Sequence, residues 1–378
     1  MKKNHCRPIF LVLPRYLLTL GIFIAQPGCN KNTAGGPVGN GVAAGGARTT
    51  VTYPLPGNPS GACPIPAEAA AEDVSNPTTV VGTGTPESCT PAAFEAAVHN
   101  GGVITFNGGP DPVTITLDHE IDVINDAGAN KLGDMIIDGG GKITLSGGGR
   151  CRILYQNGCD ESLHWITSHC QNFEHPRMVV QNLIFADGYT NDPNDGGAAL
   201  YVRSGILKVV NCVFAKNQCA LVGPDVGGAA IYTIQQSGPV YIVNSTFGGD
   251  SAMGNVGSNG GALGSIGVSY SVLNCVMTWN RAVGSGMNPA QANTPGGGSG
   301  GAIYNDGDTY TLTICGSIIA DNFANELAGA VFFVSNDLTG SVVIDQSTFY
   351  NNAGKNVQDL KGFFVLAKDT TITNTQIN

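Results

Sequence analysis

Leu207-Lys208-Val209-Val210-Asn211-Cys212-Val213-Phe214 is the stretch on which the fold turns. Leu207 and Val209 alternate with polar Lys208, a polar turn follows at Asn211, then a small residue and, two further on, a large apolar one. The phrase returns at Met178 to Phe185, Val240 to Phe247, Tyr270 to Met277, Leu312 to Ile319 and Val342 to Phe349, with a last copy at Asn374 to Ile377. A spacing of two between apolar residues is the signature of a half-buried strand, and no helical period fits as well. A period of about thirty residues marks stacked units, none of which buries its apolar side alone.

Between these phrases stand small-residue corners: Gly196-Gly197-Ala198, Gly227-Gly228-Ala229, Gly260-Gly261-Ala262, Gly300-Gly301-Ala302 and the degraded Ala328-Gly329-Ala330. They suit turns where a Cβ would strike the next unit or where φ must be positive. Strand pairing between units makes ladders of equivalent residues about 4.8 Å apart. Asn182, Asn211, Asn244 and Asn274 form one expected ladder, in which Asn tolerates left-handed geometry and Gly316 can replace it. Cys212, Ser245, Cys275, Ser317, Ser347 and Thr375 form a small inward row, and Phe214, Phe247, Met277, Ile319, Phe349 and Ile377 a large one. The expected fold is all-β, a single-stranded right-handed parallel β-helix. Thr90-Pro91 opens a short N-terminal capping helix whose apolar side is Phe94, Ala97 and Val98. Val103 to Phe106, Val113 to Leu117, Ile121 to Val123, Met135 to Ile137 and Lys142 to Leu145 read as the first rungs, with Ile137 to Gly141 as a turn.

The Gly-Gly-Ala and Asn-x-x-Phe signatures resemble those of the pectin-lyase-like superfamily, including the repeats of polymorphic outer-membrane proteins. The resemblance covers roughly residues 100 to 378 and speaks to fold rather than activity, since that superfamily holds lyases, hydrolases, epimerases and adhesins. It implies that a lyase on this fold would hold calcium between acidic residues and a uronate carboxylate, with Arg or Lys taking the proton. Asp192, Asp195 and Asp225 precede two consecutive glycine corners and are the calcium candidates; Arg203 and Lys208 follow, so Asp195, Asp225, Arg203 and Lys208 are the catalytic candidates. Asp beside Gly is also ordinary turn chemistry, the preferred reading. The motif sets of polygalacturonases and lyases in this superfamily are missing.

Domain boundaries are expected at 1–28 for a leader, 29–82 for a Gly/Pro-rich tether and lead-in, and 83–378 for the helix, with an insertion at 155–177. Lys2, Lys3, Arg7 and Arg15 precede the apolar run Tyr16 to Ile24, too short to span a membrane and laid out as a secretory leader. Gln26-Pro27-Gly28-Cys29 resembles a bacterial lipoprotein cleavage site, with Gln26 where that pattern has an apolar residue; it implies lipidation of Cys29 and an outer-membrane or cell-surface location, the alternative being plain secretion. The chain ends within the copy at Asn374, which is read as leaving no room for an autotransporter barrel.

The insertion gathers Asp160, His164, Trp165 and His169 between Cys159 and Cys170. A Cys159–Cys170 disulfide suits an exported chain, and the loop reads as a stapled ornament or as a ligand-binding loop with an aromatic sugar platform. Zinc is disfavoured because the His spacing lacks a third ligand. Of eleven cysteines, Cys6 and Cys29 fall in the leader region and nine remain, an odd number, so at least one is unpaired; Cys212 and Cys275, two rungs apart, lie beyond disulfide reach. A net charge of −10 excludes nucleic acid as a natural partner. The function expected is binding of polysaccharide or another cell-surface ligand, ahead of catalysis by a polysaccharide lyase or glycoside hydrolase and ahead of a purely structural role. No cofactor is firmly implied, and calcium is the one left open.

Overall fold

The computed structural model describes residues 51–125, 133–165, 168–355 and 361–378. The leader, Cys29 and the tether as far as residue 50 lie outside the described residues. From Val51 onward the chain winds into a parallel β-helix whose rungs add strands to three sheets, of 17, 8 and 4 strands. Every named strand pair is parallel, as a coil requires when each strand lies on its counterpart one turn earlier.

The alternation seen in the sequence sets the register. In the first sheet Val180, Val209, Ile242, Val272, Ile314, Ile344 and Ile372 pair in succession, and all but Ile372, on the last rung, are buried. Beyond the first corner, Phe185, Phe214, Phe247, Met277, Ile319, Phe349 and Ile377 do the same. The Phe185, Phe214 and Phe247 rings stack at 4.9 and 4.7 Å. Between these rows runs the small row, hydrogen-bonded along the stack: Cys212 N donates to Ser245 Oγ (3.1 Å), Cys275 N to Ser317 Oγ (3.0 Å) and Ser317 N to Ser347 Oγ (3.1 Å). A larger residue here would block the rung-to-rung bond. Cys212 and Cys275 are free and buried, and burial pushes both thiols up to about 12.

The turn residues Asn182, Asn211, Asn244, Asn274, Gly316, Gln346 and Asn374 all have φ between 45° and 64°. At a second corner stand Asn217, Asn280, Asn322 and Asn352, three residues past Phe214, Met277, Ile319 and Phe349, and Asn255, eight past Phe247. Their amides bond in series: Asn217 Nδ2 donates to Asn255 Oδ1 (2.9 Å), Asn255 Nδ2 to Asn280 Oδ1 (2.8 Å), Asn280 Nδ2 to Asn322 Oδ1 (3.0 Å) and Asn322 Nδ2 to Asn352 Oδ1 (2.9 Å). The third corner holds the glycines, where a Cβ on Gly196 would overlap the Gly227 carbonyl oxygen. The positive φ falls on Gly197, Gly228, Gly260, Gly300 and Ala328, so the third and later Gly-Gly-Ala motifs sit one residue out of register with the first two.

Pro91–Asn100 is the one α-helix among the described residues; Thr90 Oγ1 accepts from Ala93 N at 3.2 Å, and Phe94, Ala97 and Val98 are buried against the first rungs. No described helix is long and apolar enough to cross a membrane. Three boundaries move. Thr79–Val81, expected in the lead-in, pairs with Gly102–Phe106 as a first-sheet strand. Met135–Ser146 is one strand that bends through a register shift between Asp138 and Ile143, at Gly140 and Gly141, rather than two strands and a turn. Leu154–Asn157 pairs with Leu200–Arg203, taking the first three residues expected of the insertion, and Arg177 at its other end opens the strand Arg177–Ala186.

The lead-in is a strap across the outside of the first sheet. Asn58 N donates to Asn274 O (2.8 Å), Cys63 is bonded to Cys315, Lys208 Nζ pairs with Glu72, and Gln181 Nε2 donates to Glu72 O (3.0 Å). Beneath it the outward row Val210, Val243, Leu273 and Cys315 is apolar and buried, packed on Ala69. The same row continues past the strap as Asp345 and Thr373.

Candidate functional site

The outward row of the second sheet is aromatic: Tyr155, Tyr201, Tyr232, then Gly264, then Tyr304, Phe332 and Phe364 in register. Tyr155 and Tyr201 stack at 5.0 Å, as do Tyr304 and Phe332. Burial pushes the Tyr201, Tyr232 and Tyr304 hydroxyls well above their ordinary value, so all three stay protonated donors. Two polar groups lie against this row. The first centres on Arg152, whose Nη1 meets Glu120 Oε2 at 2.6 Å, whose Nε and Nη2 donate to Gly197 O and Gly196 O, and whose guanidinium lies over the Tyr155 and Tyr201 rings. Asp195 bonds to Tyr201 beside it, and its carboxyl is raised by burial against the opposing pull of Arg152. The second centres on Asn288, from the long loop of the 42-residue rung: its Nδ2 donates to Asp225 Oδ1 (2.7 Å), Tyr304 Oη (2.9 Å) and Asp306 Oδ2 (3.0 Å). Burial, then the Asp306 charge, raises the Asp225 carboxyl.

These placements correct the lyase constellation. Asp195 belongs to the Arg152 group and Asp225 to the Asn288 group, while Asp192 Oδ1 accepts from Asn194 N (2.9 Å) in an ordinary turn. Among the described residues no three His, Cys, Asp or Glu side chains come together in a way that could hold a metal ion, so the expected calcium set is not assembled. Lys208 is in the first sheet, buried under the strap, donating to Ala70 O (2.8 Å) and Glu68 O (3.2 Å) besides its Glu72 pair; it is a fastener and no free base. Arg203, in the second sheet, donates to Gln235 Oε1 (2.9 Å) and faces Asp195. Asn288 stands between Asp225 and Asp306, where a hydrolase would need its scissile bond.

The insertion is closed by the Cys159–Cys170 disulfide, with Cα atoms 5.2 Å apart. Asp160 Oδ1 caps the short turn Glu161–Leu163 by accepting from Ser162 N (2.9 Å); His164 takes left-handed φ at the end of that turn, and His169 does so at the start of the next, Cys170–Asn172. Trp165 is 7% exposed and donates Nε1–H to Val123 O (3.1 Å). The indole is thus a core plug that fixes the loop to the stack, with no open ring face for the sugar platform that was the second of the two readings of the loop.

A cleft of about 380 Å³ opens elsewhere, lined by Tyr189, Thr190, Asn191, Pro193, Gln218, Cys219, Ala220, Leu221 and Val222. Tyr189 and Gln218 occupy one repeat position on successive rungs, four residues past Phe185 and Phe214, joined by a bridge that continues to Val256. Further along this row come Arg281, Phe323 and Ala353, with Arg281 and Lys355 over the Phe323 ring. The walls are tied to the stack by Thr190 N to Gln218 O (3.0 Å) and Cys219 N to Val256 O (3.1 Å). The side-chain groups of Tyr189, Asn191 and Gln218 make no hydrogen bond to another described residue, whereas the Asn217 amide beside them is fully engaged. Among the sequence motifs, only the equal spacing of Tyr189 and Gln218 from the Phe row marks this cleft, and it stood outside the expected site residues. Arg152 and Asn288 carried no such signal. Comparison of the chain with protein-family models, curated proteins and solved structures gives no match.

Proposed function

We propose that this is an exported, surface-associated β-helix of pectin-lyase-like kind that binds polysaccharide or another cell-surface ligand along its lateral wall. The observation that carries the reading is the cleft at Tyr189 and Gln218, where polar groups uncommitted to the protein meet an apolar lip. The commitment of Lys208 to the strap weighs against lyase chemistry, which needs a free base near the acid. Attachment through a lipid on Cys29 belongs to the same proposal, and mass spectrometry of that residue tests it. A glycan array followed by a lyase assay on the hits tests the whole: retention without turnover is expected. Release of unsaturated product absorbing in the ultraviolet would replace binding with catalysis.

A further inference from the structure

We infer that the Tyr189–Gln218 cleft takes an uncharged saccharide, one pyranose ring of a neutral glycan held between an apolar lip and two side-chain amides. The inference rests on the glycan-binding reading above. No Lys, Arg, His, Asp or Glu lines the cleft. Burial holds the Cys219 thiol at its base up to about 12, so the base is neutral as well. A uronate or sulfated sugar would lose hydration there with no cation to receive it, against a chain whose net charge is −10 and with Asp192 flanking the wall.

The neutral groups suit a pyranose in two ways. Asn191 and Gln218 each offer a donor NH₂ and an acceptor carbonyl, and sugar hydroxyls both donate and accept, so each amide can engage a pair of neighbouring hydroxyls. Tyr189, Pro193, Ala220, Leu221 and Val222 give a rigid apolar surface for the C–H face of the ring. Leu221 and Val222 are 41% and 49% exposed, side by side on the lip, which marks them as contact surface. At about 30 Å³ per liquid water the cleft of about 380 Å³ holds about a dozen waters, which leaves room to spare for one hexopyranose, whose covalently joined atoms pack more tightly than separate waters. Because Tyr189, Thr190, Gln218 and Cys219 are tied to the stack by backbone bonds, that part of the wall needs little ordering on binding.

Saturation-transfer NMR and calorimetry on the full chain would use methyl β-glucopyranoside, N-acetylglucosamine, galacturonic acid and their short oligomers, with wild type, Tyr189→Ala, Gln218→Ala and Val222→Trp. Circular dichroism and thermal unfolding confirm that each variant folds; Val222→Trp fills the cleft from an exposed position and stands in if either truncation does not. The expected result is binding of neutral sugars, at least tenfold weaker binding in the variants, and no binding of galacturonate. Neutral-sugar binding untouched by all three substitutions would overturn the cleft while leaving glycan binding in place. Galacturonate binding that the variants abolish would overturn the uncharged class. Failure of every sugar to bind would overturn the saccharide cleft, and the wider cell-surface reading would then rest on the glycan array alone.

Discussion

The two asparagine corners use one residue type for different reasons. At the first corner, Asn182, Asn211, Asn244 and Asn274 are chosen for backbone shape: each has a left-handed φ, and Gly316 and Gln346 serve in the same place. Their amides are occasional fasteners, Asn211 Nδ2 reaching Asn182 Oδ1 (3.1 Å) and Asn274 Oδ1 accepting from Cys63 N of the strap (2.9 Å). At the second corner the amide itself is required. Asn280 Nδ2 donates to Asn322 Oδ1 and Phe247 O, and its Oδ1 accepts from Asn255, so both ends of the group are satisfied in a buried site. No other residue type stands at this position in the five rungs named. A corner held by shape tolerates replacement, and one held by a buried polar chain does not.

Three substitutions grade the contrast. Cys63→Ser releases the strap that secures the first corner from outside; the loop it closes spans 252 residues, and loop entropy puts the loss at about 5.5 kcal/mol by denaturant unfolding. An unchanged midpoint would mean that hydrogen bonds alone hold the strap. Asn280→Ala should cost about 3 kcal/mol, since it strips the side-chain donor from the Phe247 carbonyl and removes partners from Asn255 and Asn322. A loss below about 1 kcal/mol would show that water replaces the amide and that the two corners are alike. Asn211→Gly should lie within about 0.5 kcal/mol of wild type, because Gly accepts the left-handed turn freely. A larger drop would give the first ladder an energetic role of its own.

What was legible in the sequence was whatever recurs. The alternation ahead of Asn211 and the Phe row past it predict which residues point inward, because inward packing constrains every rung equally. Cys212 and Ser245 show their small, buried role for the same reason. Contacts that occur once were not legible. Lys208 and Glu72 are 136 residues apart and meet only because the strap doubles back along the stack, so Lys208 read as a free base. Trp165 looked exposed because its loop is an insertion, yet Val123 O sits where the indole needs an acceptor. The calcium candidates carry separate commitments because neighbouring corners have different outer loops: Asn288 bonds to Asp225, while Asp195 bonds to Tyr201 beside Arg152.

The strap also decides where tension would travel. A pull entering at Val51 meets Thr246, Asn274 and then the covalent bond to Cys315 before it can reach the first strand at Thr79. The rungs from Gly102 to Gln181 lie outside that path, as does the capping helix. A tug on the leading end would therefore be borne late in the coil, and the early turns would stay wound while the mechanical strain passes them by.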